Sequence, residues 1–264
     1  MTAPTRIANA IREGGAAIGA RTVTRSSTFI GVYAELGFDF TWVDLEHGGM
    51  SPLDTQAVEP LVWAAEAADI GLLVRLPSGD PHVVRKVLDT GVRSVLVPRV
   101  ETAEEVRTAV EAARFTYQDE PGDRGVASSK ASKWGADFEG YADREDRSTT
   151  VGVMIENRTA VDNLEEILAV PELGFVFIGP ADLSVSLGKP LEIDDPEVQA
   201  TIGEIRETGL EADVPVGRIV NDADGAIGAI DDGYSILRIG GEVGATRTVL
   251  GGRLAAVRAG RQSD

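Results

Sequence analysis

The sequence predicts a closed parallel (β/α)8 barrel, also called a TIM barrel, and three observations favour this fold class. The chain has 264 residues, close to the roughly 250 that such a barrel needs. Short runs rich in β-branched residues alternate with helix-like segments along the chain. Neither the glycine-rich dinucleotide pattern nor the phosphate-loop pattern of open α/β sheets occurs. We therefore expect one barrel domain over residues 1–264 rather than an open doubly wound sheet.

The individual elements follow from hydrophobic pattern and from capping signals. Ser51-Pro52 and Asp80-Pro81 are typical helix starts, and Thr102 with Glu105 has capping-box spacing. The predicted strands span residues 16–23, 40–44, 71–75, 93–98, 151–155, 175–178, 214–220 and 234–239. The predicted helices span residues 27–36, 52–68, 81–89, 103–114, 159–170, 196–210, 222–230 and 246–258.

Residues 115–149 interrupt this alternation of strands and helices. They are polar, contain four glycines and have no clean period. A segment of this length inside a compact domain usually has a function. We expect a lid, an inserted arm or a subunit contact.

The composition restricts the class of partner. The net charge is −18, from 43 acidic and 25 basic residues, which argues against nucleic acid as a partner. Only four basic residues are lysines, and this depletion, combined with acidity, predicts adaptation to concentrated salt. The alternative is an acidic protein with no such adaptation.

Other classes of site are excluded by what the sequence lacks. Without cysteine, the chain has no disulfide, thiolate nucleophile or cysteine-ligated metal centre. No apolar run approaches the roughly 20 residues of a membrane span, and the N-terminus has no signal-peptide pattern. We expect a soluble, cytoplasmic protein with no membrane partner.

Polar side chains follow several of the predicted buried strands. The second strand, F-T-W-V, continues directly into a charged segment, which is unusual because unpaired charge is costly to desolvate. The carboxyl ends of barrel strands meet at one mouth, where such enzymes do their chemistry. The alternative is a set of strands that simply leave the core into polar loops. The side chains expected at the mouth are Asp44, Glu46, His47, Arg75, Glu156 and Asp182.

Two of these side chains suit a metal ion. Glu156 and Asp182 are 26 residues apart, one strand–helix–strand step, and should therefore lie on neighbouring strands. Paired carboxylates with open positions between them suit a hard divalent cation that keeps several waters. The alternative is a pair of solvated loop carboxylates.

The remaining residues suggest acid–base chemistry. His47 is one of two histidines, and His82 lies at a predicted helix start, so His47 is the candidate base. Arg75 could stabilise an oxyanion or serve as an ordinary salt-bridge partner. None of the four lysines is predicted at the mouth, as a Schiff-base mechanism would need, so carbonyl activation should come from a metal.

Seven motifs stand in order along nearly the whole chain. They are D-L-E-H-G at 44–48, V-R-L-P-S-G-D at 74–80, V-L-D-T-G at 87–91, L-V-P-R-V at 96–100, R-G-V at 124–126, I-E-N at 155–157 and F-I-G-P-A-D-L-S at 177–184. Together they resemble the HpcH/HpaI family of metal-dependent pyruvate aldolases. The resemblance implies a barrel, usually a hexamer built as a trimer of dimers. It also implies reversible cleavage of a 4-hydroxy-2-oxo acid, such as a 2-keto-3-deoxy sugar acid or a 4-hydroxy-2-oxo diacid, to pyruvate and an aldehyde.

The resemblance also implies roles for individual residues. Glu156 and Asp182 would hold Mg²⁺ or Mn²⁺, with Co²⁺ a further candidate. His47 would act as base through a water on the metal, and Arg75 would stabilise the pyruvate enolate. Asp89 would reach in from a neighbouring subunit to support His47.

The substrate contacts and supporting residues come from the same resemblance. Gly179 and the backbone amide of Ala181 would contact the substrate, and Asp44 and Glu46 would support the residues that act directly. One position departs from the family pattern. Met154 stands where relatives carry a glutamine that contacts substrate, so the orientation of the substrate is open.

Two other functions were weighed. A citrate-lyase-like or malyl-CoA-like lyase shares the barrel and the metal chemistry, but the D-x-E-H pattern favours the aldolase branch. A catalytically inactive binding or assembly barrel is disfavoured because the base, the arginine and both metal carboxylates are present. The sequence does not choose between a sugar-acid and a diacid substrate.

Overall fold

The protein forms a closed eight-stranded parallel barrel, as predicted. The computed structural model describes residues 6–12 and 15–261. The strands follow one another around the barrel in chain order, and the first also pairs with the last through Ala17 and Ile236. The barrel strands are β1 Ala17–Thr22, β2 Phe40–Asp44, β3 Gly71–Arg75, β4 Ser94–Val97, β5 Thr150–Ile155, β6 Phe175–Ile178, β7 Val216–Val220 and β8 Ile236–Gly241.

Helices surround the barrel, and several of them begin or end where the sequence analysis did not place them. None of the helices in the described ranges is long and apolar enough to cross a bilayer. The helices are α1 Arg6–Arg12, α2 Ser27–Glu35, α3 Thr55–Ala68, α4 Pro81–Asp89, α5 Ala103–Ala112, α6 Tyr141–Ser148, α7 Arg158–Asp162, α8 Leu164–Leu168, α9 Pro180–Ser186, α10 Pro196–Glu211, α11 Ala223–Asp231 and α12 Glu242–Gly260.

The predicted start of α3 at Ser51-Pro52 is wrong. The Ser51 hydroxyl accepts a hydrogen bond from the Leu53 N–H and closes a local turn instead. The helix begins after Asp54, whose carboxylate accepts from the Ala57 N–H. Two acceptors compete for the same role, and the later one caps the helix.

The barrel interior is filled by aromatic and aliphatic side chains. Trp42 and Phe177 pack edge to face with ring centroids 5.0 Å apart. Ile7 of α1, a helix missing from the sequence prediction, is fully buried against the same interior cluster. Since this cluster includes Ala17 and Phe40 at the starts of their strands, α1 closes the N-terminal end of the barrel.

Residues 115–149 contain a two-stranded hairpin, a 3-10 turn and α6, and they pack against the N-terminal end of the barrel. The carboxylate of Glu145, buried in α6, is ion-paired with Arg93 and Arg124, each at 2.7 Å. The Ala131 N–H donates to the Asp89 carbonyl at the end of α4. The segment therefore does not form a lid over the mouth of its own barrel, and the lid expectation is wrong.

The last helix, α12, stands apart from the barrel. From residue 244 to residue 260 all its side chains are exposed, including the apolar Val249, Leu250, Leu254 and Val257. It begins at Glu242, four residues before the predicted start, because the Glu242 carboxylate is held by the N–H groups of Val23 and Thr24 at 2.7 Å.

Candidate active site

The carboxyl ends of β2 and β3 are joined by an ion pair at the mouth of the barrel. Asp44 Oδ1 accepts from Arg75 Nε at 3.0 Å, and Asp44 Oδ2 from Arg75 Nη2 at 2.5 Å. Burial alone would raise the pKa of Asp44, but the hydrogen bonds and charge of Arg75 outweigh it and lower that pKa. Asp44 is therefore ionised and fixes the orientation of the guanidinium.

The same aspartate shapes the loop that carries the histidine. Asp44 Oδ1 accepts hydrogen bonds from the N–H groups of Glu46 and His47 at 3.1 and 3.3 Å. Gly48 completes this turn, since a Cβ at that position would lie 2.0 Å from the Asp44 carbonyl oxygen. The His47 side chain is 63% exposed, and its Nε2 lies 3.6 Å from Glu46 Oε2. His47 is therefore presented at the rim of the mouth.

Arg75 contacts the carboxylates of Asp44 and Glu46 and still has N–H donors left over. Its Nη1 lies 2.8 Å from Glu46 Oε2, in addition to the two bonds to Asp44. Its remaining N–H groups include one directed at Met154 Sδ, 3.8 Å away, and a thioether is only a weak acceptor. Burial would lower the pKa of Arg75, but Asp44 and Glu46 raise it, so the guanidinium keeps its charge.

Glu156 is a buried carboxylate with one oxygen unsatisfied. Oε1 accepts from the Arg99 N–H at 2.7 Å, whereas buried Oε2 has no hydrogen-bond partner among the described residues. Burial, opposed by the Arg99 N–H and assisted by the charges of Asp182 and Glu46, raises the pKa of Glu156 to about 7. A buried oxygen without a partner at this position is costly unless a ligand completes it.

Gly179, Ala181 and Asp182 approach Glu156 from the end of β6. A Cβ at Gly179 would lie 2.5 Å from Glu156 Oε2, so only glycine lets the two strand ends come this close. Ala181 and exposed Asp182 lie in the first turn of α9, where backbone N–H groups have no acceptor within the helix.

The chemistry of these side chains fits a divalent cation. Within residues 6–12 and 15–261, no group of three or more histidine, aspartate or glutamate side chains could hold a metal by itself. The unsatisfied Glu156 oxygen and the nearby Asp182 offer two carboxylate ligands. A hard cation that keeps several waters, such as Mg²⁺, suits two carboxylates with open coordination positions.

Asp89 is the one predicted site residue that lies far from the others. It ends α4, and the chain then enters β4 at its N-terminal end, so Asp89 lies at the end of the barrel opposite His47 of the same chain. Burial raises the pKa of Asp89, opposed by the charges of Arg124 and Lys86. Within one chain, Asp89 and His47 do not meet.

The sequence analysis missed three arginines that belong to the mouth. Arg99 adopts a left-handed conformation, with φ of 57°, and aims its N–H at Glu156. Arg21 is ion-paired with Asp44 at 2.9 Å, and Arg238 lies near Arg21 and Asp44. The sequence itself could have identified two of them, because Arg21 and Arg238 are charged residues inside otherwise apolar strands.

The fold and this site define a (β/α)8-barrel enzyme whose mouth is lined by carboxylates, arginines and one histidine. Residues 23–248 match the model of the HpcH/HpaI aldolase/citrate lyase family. The chain belongs to this family, and it is a carbon–carbon lyase.

Individual relatives agree with the family assignment. A hydroxypyruvate/pyruvate aldolase of Roseobacter denitrificans is 37% identical over 171 residues, which cover 65% of each chain. The match thus spans slightly under two thirds of that relative. A 2-keto-3-deoxy-L-rhamnonate aldolase of Escherichia coli is 36% identical over 212 residues, 76% of this chain and 75% of that one. The crystal structure of an HpcH/HpaI aldolase/citrate lyase family protein from Burkholderia cenocepacia superposes with a TM-score of 0.88 at 29% identity, covering 96% and 98% of the two chains.

Proposed function

We propose that this protein is a metal-dependent pyruvate aldolase, which reversibly cleaves a 4-hydroxy-2-oxo acid to pyruvate and an aldehyde. The observation that carries the proposal is the buried, unsatisfied Glu156 oxygen, which lies near a fixed, charged Arg75. The names of the aldolase relatives support the same reaction.

Glu156 and Asp182 would hold the cation, Mg²⁺ or Mn²⁺, with Co²⁺ as a further candidate. When bound, the cation supplies Lewis-acid polarisation of the substrate carbonyl. The Ala181 N–H, at the open first turn of α9, would orient the substrate carboxylate, and the absence of a Cβ at Gly179 leaves room beside it. Met154 lines the same wall as a buried apolar contact.

His47 and Arg75 would move the proton and stabilise the charge. His47 takes the proton from the 4-hydroxyl group, the C3–C4 bond breaks, and the departing group leaves as an aldehyde. The bond's electron pair remains on the pyruvate half as an enolate, which the free donors of Arg75 stabilise. A proton delivered to C3 then completes pyruvate.

We also propose that the protein works as a homo-oligomer, a hexamer by its resemblance to the family. Two features support assembly. Exposed apolar side chains line α12, and the neighbouring helices α2 and α11 expose Val32, Leu36, Ile227 and Ile230. A partner subunit would cover these surfaces and bring its Asp89 to His47.

Metal removal tests the proposed function. We expect chelator-treated protein to lose retro-aldol activity on 4-hydroxy-2-oxo acids, and addition of Mg²⁺, Mn²⁺ or Co²⁺ to restore that activity. In the Glu156→Gln variant, addition of the same metals should not restore it. Borohydride added with pyruvate should leave the enzyme active. Lys86 lies in the last turn of α4, beside Asp89, and ion pairs hold Lys130, Lys133 and Lys189 to Glu66, Asp137 and Asp195. Inactivation with a pyruvyl-lysine adduct would show that the mechanism is of the Schiff-base type.

A further inference from the structure

Three arginines lie close together at the mouth of the barrel. Arg21 on β1 and Arg75 on β3 are both ion-paired with Asp44, at 2.9 and 2.5 Å. The guanidinium carbons of Arg75 and Arg238 lie 6.0 and 5.9 Å from the centroid of the Trp42 ring. The three positive charges therefore share one small region of the interior.

The register of β8 directs Arg238 into the barrel. Ile236 belongs to the cluster that fills the interior, and Leu237 to the cluster between the barrel and its helices. Side chains alternate between the two faces of a strand, so Arg238 lies on the same side as Ile236. Its Cα pairs with that of Gly19 on β1, one residue from Ala20 and two from Arg21 on the same strand.

Arg238 has no anionic partner in the described chain. No ion pair or hydrogen bond holds its side chain, its buried Nε has no acceptor, and the residue as a whole is partly exposed. Burial, together with the charges of Arg21 and Arg75, lowers the pKa of Arg238 to about 10. It therefore remains protonated at neutral pH.

The local charge balance leaves one positive charge in excess. Arg21, Arg75 and Arg238 lie beside Asp44 and Glu46, and Arg75 already contacts both of those carboxylates. Glu156 also acts on Arg75, but its charge and that of Asp182 are assigned above to the cation. A half-buried charge without a partner is costly to the folded protein. One singly charged anion would balance it.

We propose, resting on the aldolase function above, that Arg238, with Arg21 beside it, binds a carboxylate on the aldehyde half of the substrate. Glu156 and Asp182 follow β5 and β6; β1 lies opposite β5 in the eight-stranded barrel, and β7 separates β8 from β6. Pyruvate bound on the β5–β6 side leaves the aldehyde half facing Arg238. The substrate is then a 4-hydroxy-2-oxo diacid. A phosphate, with a charge of about −1.5 to −2, would exceed the single positive charge available.

The test compares aldehydes in the addition of pyruvate. ω-Oxo acids, beginning with glyoxylate, are compared with neutral aldehydes of the same length and with glycolaldehyde phosphate. We expect kcat/KM to favour the carboxylates by about 10- to 100-fold, the factor of one charge-assisted hydrogen bond. In Arg238→Met this preference should largely vanish, and in Arg238→Lys it should be partly kept.

Arg218→Met is the matched control, because Arg218 stacks on Tyr234, 5.0 Å from its ring centroid, on the outer face of β7. It should keep the wild-type preference. The proposal would be overturned if the wild-type protein used neutral and carboxylate aldehydes equally well, and this comparison does not depend on any variant folding. So would an unchanged preference in Arg238→Met, or an equal loss in Arg218→Met. Preference for the phosphate would refute the carboxylate assignment. Absence of addition with every aldehyde would instead refute the aldolase function, and this inference with it.

Discussion

At the scale of single residues, the carboxylates of Asp44 and Glu156 at the mouth differ in their hydrogen bonding. Asp44 accepts bonds from Arg75, from Arg21 and from two backbone N–H groups, so its role is to hold other residues in place. Glu156 keeps one oxygen without a partner in the described chain and has a raised pKa. The difference in hydrogen bonding separates a supporting carboxylate from a candidate metal ligand.

The pairing of His47 with Asp89 of a neighbouring subunit is a prediction at this scale. We expect His47→Ala to lower activity by about 10²- to 10⁴-fold, as for a lost general base, and Asp89→Asn to lower it as well. Co-assembly of the two variants should restore part of the activity, because about a quarter of the sites in a random mixture combine an intact His47 with an intact Asp89.

The readout is the activity of mixed oligomers purified through two different affinity tags. A matched control pairs the Asp89→Asn subunit with a His47→Ala, Asp89→Asn double variant, which keeps the same share of intact His47 but can form no intact pair. If mixed oligomers form and remain as inactive as this control, Asp89 does not act across the subunit boundary. Asp89 would then act only within its own chain, where Arg124, Lys86 and Ser129 are among its neighbours.

At the scale of elements, α12 is the helix with the least support from its own chain. Leu250 and Leu254 are 55% and 50% exposed, and Glu242 at its start is the only residue of the helix that is buried. Helices in proteins gain most of their stability from packing of an apolar face, so an unpacked α12 would be only marginally stable. A second copy of the chain is the partner we propose.

We therefore expect Leu254→Glu to dissociate the oligomer, because it places a charge among the apolar side chains of α12. Sedimentation velocity would measure the change in mass. Ala255→Glu is the control, since it adds the same charge to the same helix, about 100° away, on an exposed position. A wild-type mass for Leu254→Glu would mean that this side of α12 is not an interface.

At the scale of the whole molecule, the excess of acidic residues is the dominant feature. With a net charge of −18, the acidic side chains repel one another in the compact state. Salt at about 1 M shortens the screening length to about 3 Å and so weakens this repulsion. Exposed Glu204, Glu207 and Glu211 follow one another at three- and four-residue spacing on α10, where like charges destabilise a helix.

We expect the melting temperature to rise with KCl from dilute buffer to molar concentration, measured by calorimetry. The variant with Glu204, Glu207 and Glu211 all changed to glutamine should melt higher in dilute buffer and gain less from KCl, because it has less repulsion to screen. A melting temperature of the wild-type protein that does not respond to KCl would contradict the adaptation to salt.

The sequence by itself determined the fold class and most of the mouth. Strand periodicity placed all eight barrel strands within about two residues, because strands buried on both faces need continuous apolar runs. The same strand ends predicted that Asp44, Glu46, Arg75 and Glu156 would meet, and the structure brings them together. These are consequences of local pattern and of the parallel arrangement of the strands.

Only the tertiary structure decided which polar groups lack a partner. The unsatisfied oxygen of Glu156 depends on the close approach of Gly179, and the unpaired charge of Arg238 depends on Arg75 having already engaged Asp44 and Glu46. The exposure of α12 likewise follows from where it leaves β8 rather than from its composition. Hydrogen-bond partners and burial are set by contacts between residues distant in the chain, which local sequence pattern does not encode.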